Sequence, residues 1–476
     1  LHEQFGNEQS GIGELPVVVE WLSAERWLMG SASVDSLASK HINTLCDTIG
    51  VRWGGSENER RAAEYIRGQF DEFGLEAAVI EDFDVDTWES TASSITIQAE
   101  EDRGIDVRPS LFCPPVDVTA PLIDVGFGMP HELEPLLSKL NGAVVLIAGA
   151  YEPFSPPETL TFRLEHLATL GVAAAITPYA AGGHRTAHAH LGDWRDDDPH
   201  KIAMPIVHTS REDGALLGRR AANGATVTVR VESKRFPKPS SNVVGEIRGD
   251  VWPDEWIVLT SHHDTTVDSP GANDNASGTT VVMEAARLLA RLKEEHGISP
   301  GRSIRFVTFG SEEQALQGSF RYAERHYGEE PFPRLLINLD ELAKGSMKGV
   351  ALQFPELRPL IQRELDAMGE GLKCHVMADM DSSGDMYPFA LKGIPSGMLW
   401  RWRFVGGHPD AAFGHSANDT VDKVRIRELK EYSGFLSRIL LRTSHVVPED
   451  WPENKLDVDE IKARTAKERG SVVRTM

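Results

Sequence analysis

Carboxylate and imidazole side chains gather in five short clusters in the second half of the chain. Ser261-His262-His263-Asp264 follows the apolar run 256–260, Gly310-Ser311-Glu312-Glu313 follows 304–309, and Asp340-Glu341 follows 335–339. Between the first two, Gly271-Ala272-Asn273-Asp274-Asn275-Ala276-Ser277-Gly278 leads into a helical stretch. Near the end, Gly414-His415-Ser416-Ala417-Asn418-Asp419-Thr420 follows the last apolar run. Taken singly, each has an ordinary explanation: Asp274 as a helix cap, His415 as a structural histidine, Glu312 and Glu313 as a solvated pair. Together they mean more, because in an open α/β sheet reacting groups collect beyond the carboxyl ends of the strands. Carboxylates and imidazoles without thiolates suit Zn2+ or a similar divalent ion. Two such ions about 3.5–4 Å apart share a bridging carboxylate and hold a water between them. The chemistry to expect is metal-assisted hydrolysis.

The elements that must position these clusters alternate regularly. Strands are predicted at 256–260, 304–309, 335–339, 374–377 and 394–399, and helices at 278–295, 319–326, 355–368, 385–391 and 426–446. Apolar strands alternating with helices indicate an α/β fold: a mostly parallel mixed sheet flanked by helices on both faces. Upstream, Ser56 and Glu59 form a capping box, and Ala63, Ile66, Phe70 and Phe73 recur at helical spacing until Gly74. Short strands are expected at 77–80 and 94–98, and an amphipathic segment at 17–28. From Pro114-Pro115 the texture changes to short β-type runs (143–147, 173–177, 226–231), one helix (160–170) and a polar loop (182–200). The run Pro237-Lys238-Pro239-Ser240-Ser241 reads as a linker. The expected organisation is an N-terminal extension (1–32), a main domain in two parts (33–114 and 240–447), an inserted small α/β domain (115–239) and a C-terminal tail (448–476).

Composition narrows the partners. The chain has 476 residues, with 49 Lys and Arg against 72 Asp and Glu, a formal net charge of −23. A field of that sign repels phosphate and excludes nucleic-acid binding over a broad surface. Cys46, Cys113 and Cys374 are too few and too scattered for a disulfide framework or a thiolate zinc site. The longest apolar stretches, 142–151 and 172–181, fall far short of the ~20 residues of a membrane span. With no signal peptide visible the chain reads as cytoplasmic as given, or as secreted if one was removed.

The clusters together resemble those of the M28 zinc peptidases in the form that carries an inserted protease-associated (PA) domain. The resemblance rests on His262-x-Asp264, the Gly271–Gly278 motif, Glu312-Glu313 with Gly318-Ser319, Asn338-Leu339-Asp340, and His415 through Thr420, and extends from about residue 33 to 447. It implies two zinc ions per chain and a peptide substrate. Asp274 becomes the bridging ligand, His262 and Asp340 complete one site, and Glu313 and His415 complete the other. Glu312 becomes the general base, which takes the water's proton and passes it to the leaving amine. The resemblance also implies a cis peptide at Asp274–Asn275. Asp264 is suited to accept from the second ring nitrogen of His262, and Asp419 to stabilise the turn after His415.

The expected activity is that of an aminopeptidase. The alternative on the same site is a carboxypeptidase or dipeptidase anchoring a carboxylate through Arg401 or Arg403, in the Trp400-Arg401-Trp402-Arg403-Phe404 segment before His415. A glutaminyl cyclase would use one metal, and a receptor-like relative would carry broken ligands; the ligand pattern here is complete. His184, His188, His190 and His200 crowd the polar loop of the insert, where Gly182-Gly183 and the Asp-rich run argue for a loop rather than a third metal site.

Overall fold

In a computed structural model, the described residues are 21–98, 103–149, 158–191, 202–329, 331–343, 345–377, 382–401, 413–452, 457, 459–461 and 463. They contain strands β1 (Glu76–Gln98), β2 (Arg103–Ile105), β3 (Val107–Pro109), β4 (Val116–Asp124), β5 (Val144–Leu146), β6 (Ala174–Pro178) and β7 (Ile206–Thr209). Then come β8 (Thr226–Ile247), β9 (Trp252–His262), β10 (Arg302–Phe309), β11 (Leu335–Asn338), β12 (Met347–Leu352), β13 (Lys373–Val376) and β14 (Ser396–Arg401). Their order is β13-β12-β14-β11-β9-β10-β8-β4-β5-β6-β7-β3, with β1 paired to β8 and β2 to β1.

The centre that carries the clusters is the mixed, mostly parallel sheet expected. β9 runs parallel to β10 and β11, and β11 parallel to β14, while β8 and β12 are antiparallel to their inner neighbours. The apolar stretches of its strands, such as Ile257–Leu259 and Leu335–Ile337, are continuous because both faces are covered. Ile257 and Leu259 of β9 face a core built with helices Trp21–Val34, Glu57–Glu72, Ser277–His296 and Ile426–Ser444. Val258, between them, faces a second core with Val307, Phe309, Tyr322 of helix Gln317–His326 and Phe389 of helix Tyr387–Ala390. The predicted helix starting at Ser56 is present, and the Ser56 hydroxyl accepts from the Glu59 N–H. The Glu59 carboxylate departs from a capping box: it accepts from the Gly55 N–H and the Ser240 hydroxyl, joining the helix to β8.

Two expectations are corrected in the connecting region. The strands predicted at 77–80 and 94–98 are the ends of one strand, β1, which pairs with β8 from Glu76 opposite Glu246 to Gln98 opposite Thr226. The residues predicted as a linker, 237–241, lie inside β8. β8 is paired on its other edge to β4 only through Val231 and to β10 only from Val243. Pro237 and Pro239 fall in the gap and share one parity, so neither needs to donate a ladder hydrogen bond. The 239/240 junction therefore lies within a continuous strand. Beyond this ribbon, the region from β3 to β7 packs in two apolar clusters, one around Val144 and Ile176 that is shared with Ile95 of β1 and Val227 of β8, and another around Val145, Leu164 and Ile206.

Two histidines buried in these cores make the fold sensitive to acid. Burial lowers the His41 imidazole to about 4, despite Glu284 nearby, and lowers that of His208 to about 3. An unfolded histidine protonates near 6.5, so below that pH the unfolded chain binds protons the folded chain refuses. The contribution of these two histidines should be flat above about pH 7 and fall as pH drops from 6.5 toward 4, by up to about 1.4 kcal/mol per pH unit for each. Urea midpoints at pH 7, 6 and 5 measure this slope. His41→Gln should flatten it, and an unchanged slope in that variant would show that His41 is not a source.

Candidate metal centre

The five clusters meet at the carboxyl ends of β9, β10 and β11. His262 is the last residue of β9, opposite Phe309 of β10 in the parallel register, and Asp340 follows β11. Asp274 lies between the two histidines. Its Oδ1 is 3.2 Å from His262 Nε2 and its Oδ2 is 3.1 Å from His415 Nε2. On the first side, His262 Nε2 is also 3.5 Å from Asp340 Oδ1 and 3.8 Å from Glu312 Oε2. On the second, His415 Nε2 is 3.2 Å from Glu313 Oε2. Among the described residues, the potential ligand atoms form two groups, His262 with Glu312 and Asp340, and Asp274 with Glu313 and His415.

Buried side chains hold these groups in place. The Asp264 carboxylate, fully buried, faces His262 Nδ1 at 3.3 Å and accepts from the backbone N–H groups of Glu312 at 3.1 Å and Glu313 at 3.2 Å. It thus fixes three of the clustered residues, beyond the imidazole orientation expected from the sequence. Asp419 does the same for the Asp274 segment, accepting from the N–H groups of Asn273 at 2.8 Å and Asp274 at 3.0 Å. The Asp274–Asn275 peptide is cis. Asn275 then donates to the Leu339 carbonyl and accepts from the Gly278 N–H, tying this turn to the end of β11. Gly271 enters the turn with φ +59°, where a Cβ would stand 2.4 Å from the Asp274 carbonyl. Gly318 is needed for close approach, since a Cβ there would meet the Gly310 carbonyl at 2.1 Å.

The site is crowded with acids. Burial, reinforced by Asp385, Glu313 and Asp340, raises the Glu312 carboxyl well above the usual range despite His262. Burial likewise raises Glu313. Burial opposes protonation of His415, but Glu313 and Asp274 raise it to about 10. Burial also opposes protonation of His262, and Glu312, Asp264, Asp274 and Asp340 outweigh it. Four acids on two imidazoles call for added positive charge. His262 Nε2, Glu313 Oε1 and Asp340 Oδ1 are buried without hydrogen bonds, although His262 Nε2 lies close to several carboxylates. Atoms that face one another at 3–4 Å without donating are arranged as ligands around a cation, and a mixed N/O set fits zinc. The residues present fit a pair of divalent ions.

The structure brings together His262, Asp264, Asp274, Glu312, Glu313, Asp340 and His415. Arg401 ends β14, with its backbone opposite Met347, and its side chain lies outside the described residues, as do Arg403 and His200. His184 is exposed and His188 is buried on other contacts. Two supports had no signal as part of the site. Arg52, buried, donates to the carbonyls of Leu45, Gly50, His263, Pro270 and Gly271, clamping both ends of the loop after β9. Asp385, fully buried, is raised to about 7 by burial first, and the charges of Asp264 and Asp340 add to this while His262 opposes it.

Residues 242–439 match the model of peptidase family M28. Curated relatives cover most of the chain: human carboxypeptidase Q is 27% identical over 398 residues, 80% of each chain. The aminopeptidase YwaD of Bacillus subtilis is 26% identical over 307 residues, 63% of this chain and 59% of that protein. The fold agrees with solved M28 structures. A peptidase M28 precursor from Shewanella amazonensis superposes with a TM-score of 0.73 at 20% identity, covering 92% of this chain and 98% of that one. BSAP, a zinc aminopeptidase from Bacillus subtilis, gives 0.67 at 21% identity over 85% and 94%. The M28 match spans all five clusters, and among the described residues no helix is long and apolar enough to cross a membrane.

Proposed function

We propose that this chain is a dizinc exopeptidase of the M28 type, an aminopeptidase that releases N-terminal residues from peptides. The observation that carries the reading is Asp274 presenting one carboxylate oxygen to His262 and the other to His415. Asp274 with His262 and Asp340 would hold one ion, and Asp274 with Glu313 and His415 the other. Bound there, the zinc pair supplies Lewis acidity and a water of lowered pKa. Glu312 belongs by distance to the His262 group, but Asp274 is nearer to that imidazole, 3.2 against 3.8 Å. That leaves the Glu312 carboxylate to take a proton from the attacking water and deliver it to the leaving amine. Asp264 keeps His262 oriented and holds the Glu312 and Glu313 backbone in place while Glu312 cycles. The reading divides the chain into a peptidase unit (33–114 and 240–447) around a PA-like insert (115–239), with flanks 1–32 and 448–476.

A second reading, a carboxypeptidase or dipeptidase, is favoured by the likeness to carboxypeptidase Q. It would anchor a substrate carboxylate through Arg401 or Arg403. A panel of N-blocked, C-blocked and free dipeptides separates the two. Cleavage that requires a free amine is the expected outcome, and cleavage that requires a free carboxylate would select the second reading. In the same assays chelator should abolish turnover and Zn2+ restore it, with about two ions bound per chain. Activity indifferent to chelator would overturn both readings.

A further inference from the structure

We propose that His188, in the segment read as an insert, is a positioning residue of the metal centre. It joins the loop that leads to Asp274 with the loop that carries His415. The inference rests on reading Asp274 and His415 as metal ligands. The His188 backbone N–H donates to the His415 carbonyl at 3.0 Å. Its ring is buried, Nδ1 bonds the Pro109 carbonyl at 2.8 Å, and Trp88 meets the ring edge-on. Nε2 lies 3.4 Å from Asp268 Oδ2, a longer contact, and Arg108 Nε is 3.3 Å from the same carboxylate oxygen. Pro109 and Arg108 belong to β3, whereas Asp268 stands between His262 and Asp274. His188 thus touches three separate segments, two of which carry ligands.

His415 needs such a tie. Its φ is +58°, a left-handed conformation that is uncommon for a residue with a Cβ. Its side chain is 35% exposed, so burial alone does not fix the imidazole. The direction of its carbonyl is set by the His188 amide, and the amide by the locked His188 ring. The next contact in the same loop reinforces this: the Arg185 guanidinium lies 4.8 Å over the Phe413 ring, two residues before His415. Asp419 is the internal tie between the Asp274 and His415 segments, and His188 is a second one supplied from outside. Groups that orient metal ligands typically govern 10–100-fold in metal affinity.

The test compares full-length wild-type protein with His188→Ala, His188→Asn and, as a control, His184→Ala. His184 is exposed on the same segment. Zinc affinities are read by chelator competition, ligand geometry by the visible spectrum of Co2+-substituted protein, and stability by thermal unfolding of the metal-free chains. His188→Ala should weaken one of two zinc ions by about 10-fold or more and shift the cobalt spectrum. His188→Asn, whose amide can still donate to Pro109, should recover part of that affinity, and His184→Ala should behave as wild type. Unchanged zinc affinities and spectrum in folded His188→Ala would overturn the proposal, even if its melting point fell. Should that variant not fold, Asp268→Ala decides: weakening of one zinc ion supports the proposal and unchanged affinity overturns it. Wild-type protein that bound no zinc would overturn the underlying site reading instead, and the proposal with it.

Discussion

Glu312→Gln should yield a folded, zinc-loaded protein whose kcat on a peptide substrate has fallen about 10³-fold. A positioned general acid–base contributes typically 10²–10⁴-fold, and a 10³-fold loss corresponds to about 4 kcal/mol of barrier. The substitution keeps the side chain's size and leaves the Glu312 N–H on Asp264. It removes only the group able to carry a proton. Stability should not suffer: Glu312 is buried against Glu313, Asp340 and Asp385, and neutralising it relieves repulsion. Elemental analysis and steady-state kinetics on the same preparation check the result. Unchanged turnover would remove Glu312 from the mechanism. Loss of one zinc ion would instead make Glu312 a ligand, the role that its grouping with His262 and Asp340 would then describe.

The parts of the fold legible in the sequence were those where one local rule sufficed. β9, β10 and β11 are buried on both faces, so their apolar runs stand out, and each ends in the polar residues that form the site. β1 and β8 are different. Their middle forms a ribbon in which polar residues such as Asp84, Glu89 and Lys238 interrupt the apolar pattern, although Val85 and Trp88 among them are buried. β12 was missed for a related reason: Met347-Lys348-Gly349-Val350 looks like a turn, yet Gly349 at φ +140° lets the strand come against the Lys373 carbonyl. The ligand candidates were legible because their motifs are contiguous. Their supports were not. Arg52 draws its role from carbonyls as far away as Gly271, and nothing near Arg52 in sequence announces them. Glu59 carried a local signature, a capping box, that described its backbone N–H and not its carboxylate. Asp419 read as a turn residue after His415, but its carboxylate serves a segment about 145 residues upstream.

That last support carries the second large expectation. Asp419→Ala should strip the protein of zinc and destabilise it by about 4 kcal/mol. The carboxylate is fully buried and is the acceptor for two backbone donors, Asn273 N–H and Asp274 N–H. Removing it leaves both donors buried without a partner, at about 1–3 kcal/mol each. It also frees the backbone of the one residue whose two oxygens face both histidines, so both ions should be affected, unlike the single ion expected to respond at His188. Asp419→Asn separates the two consequences. Its amide keeps one oxygen and can accept one of the two N–H groups, so stability should recover about half the loss while zinc affinity stays below wild type. Urea unfolding of the metal-free chains reads the first quantity and chelator competition the second. An Ala variant with wild-type zinc affinity would mean that the Asp274 turn keeps its shape without Asp419. The bonds from Asn275 to Leu339 and Gly278 would then be sufficient to hold the bridging carboxylate.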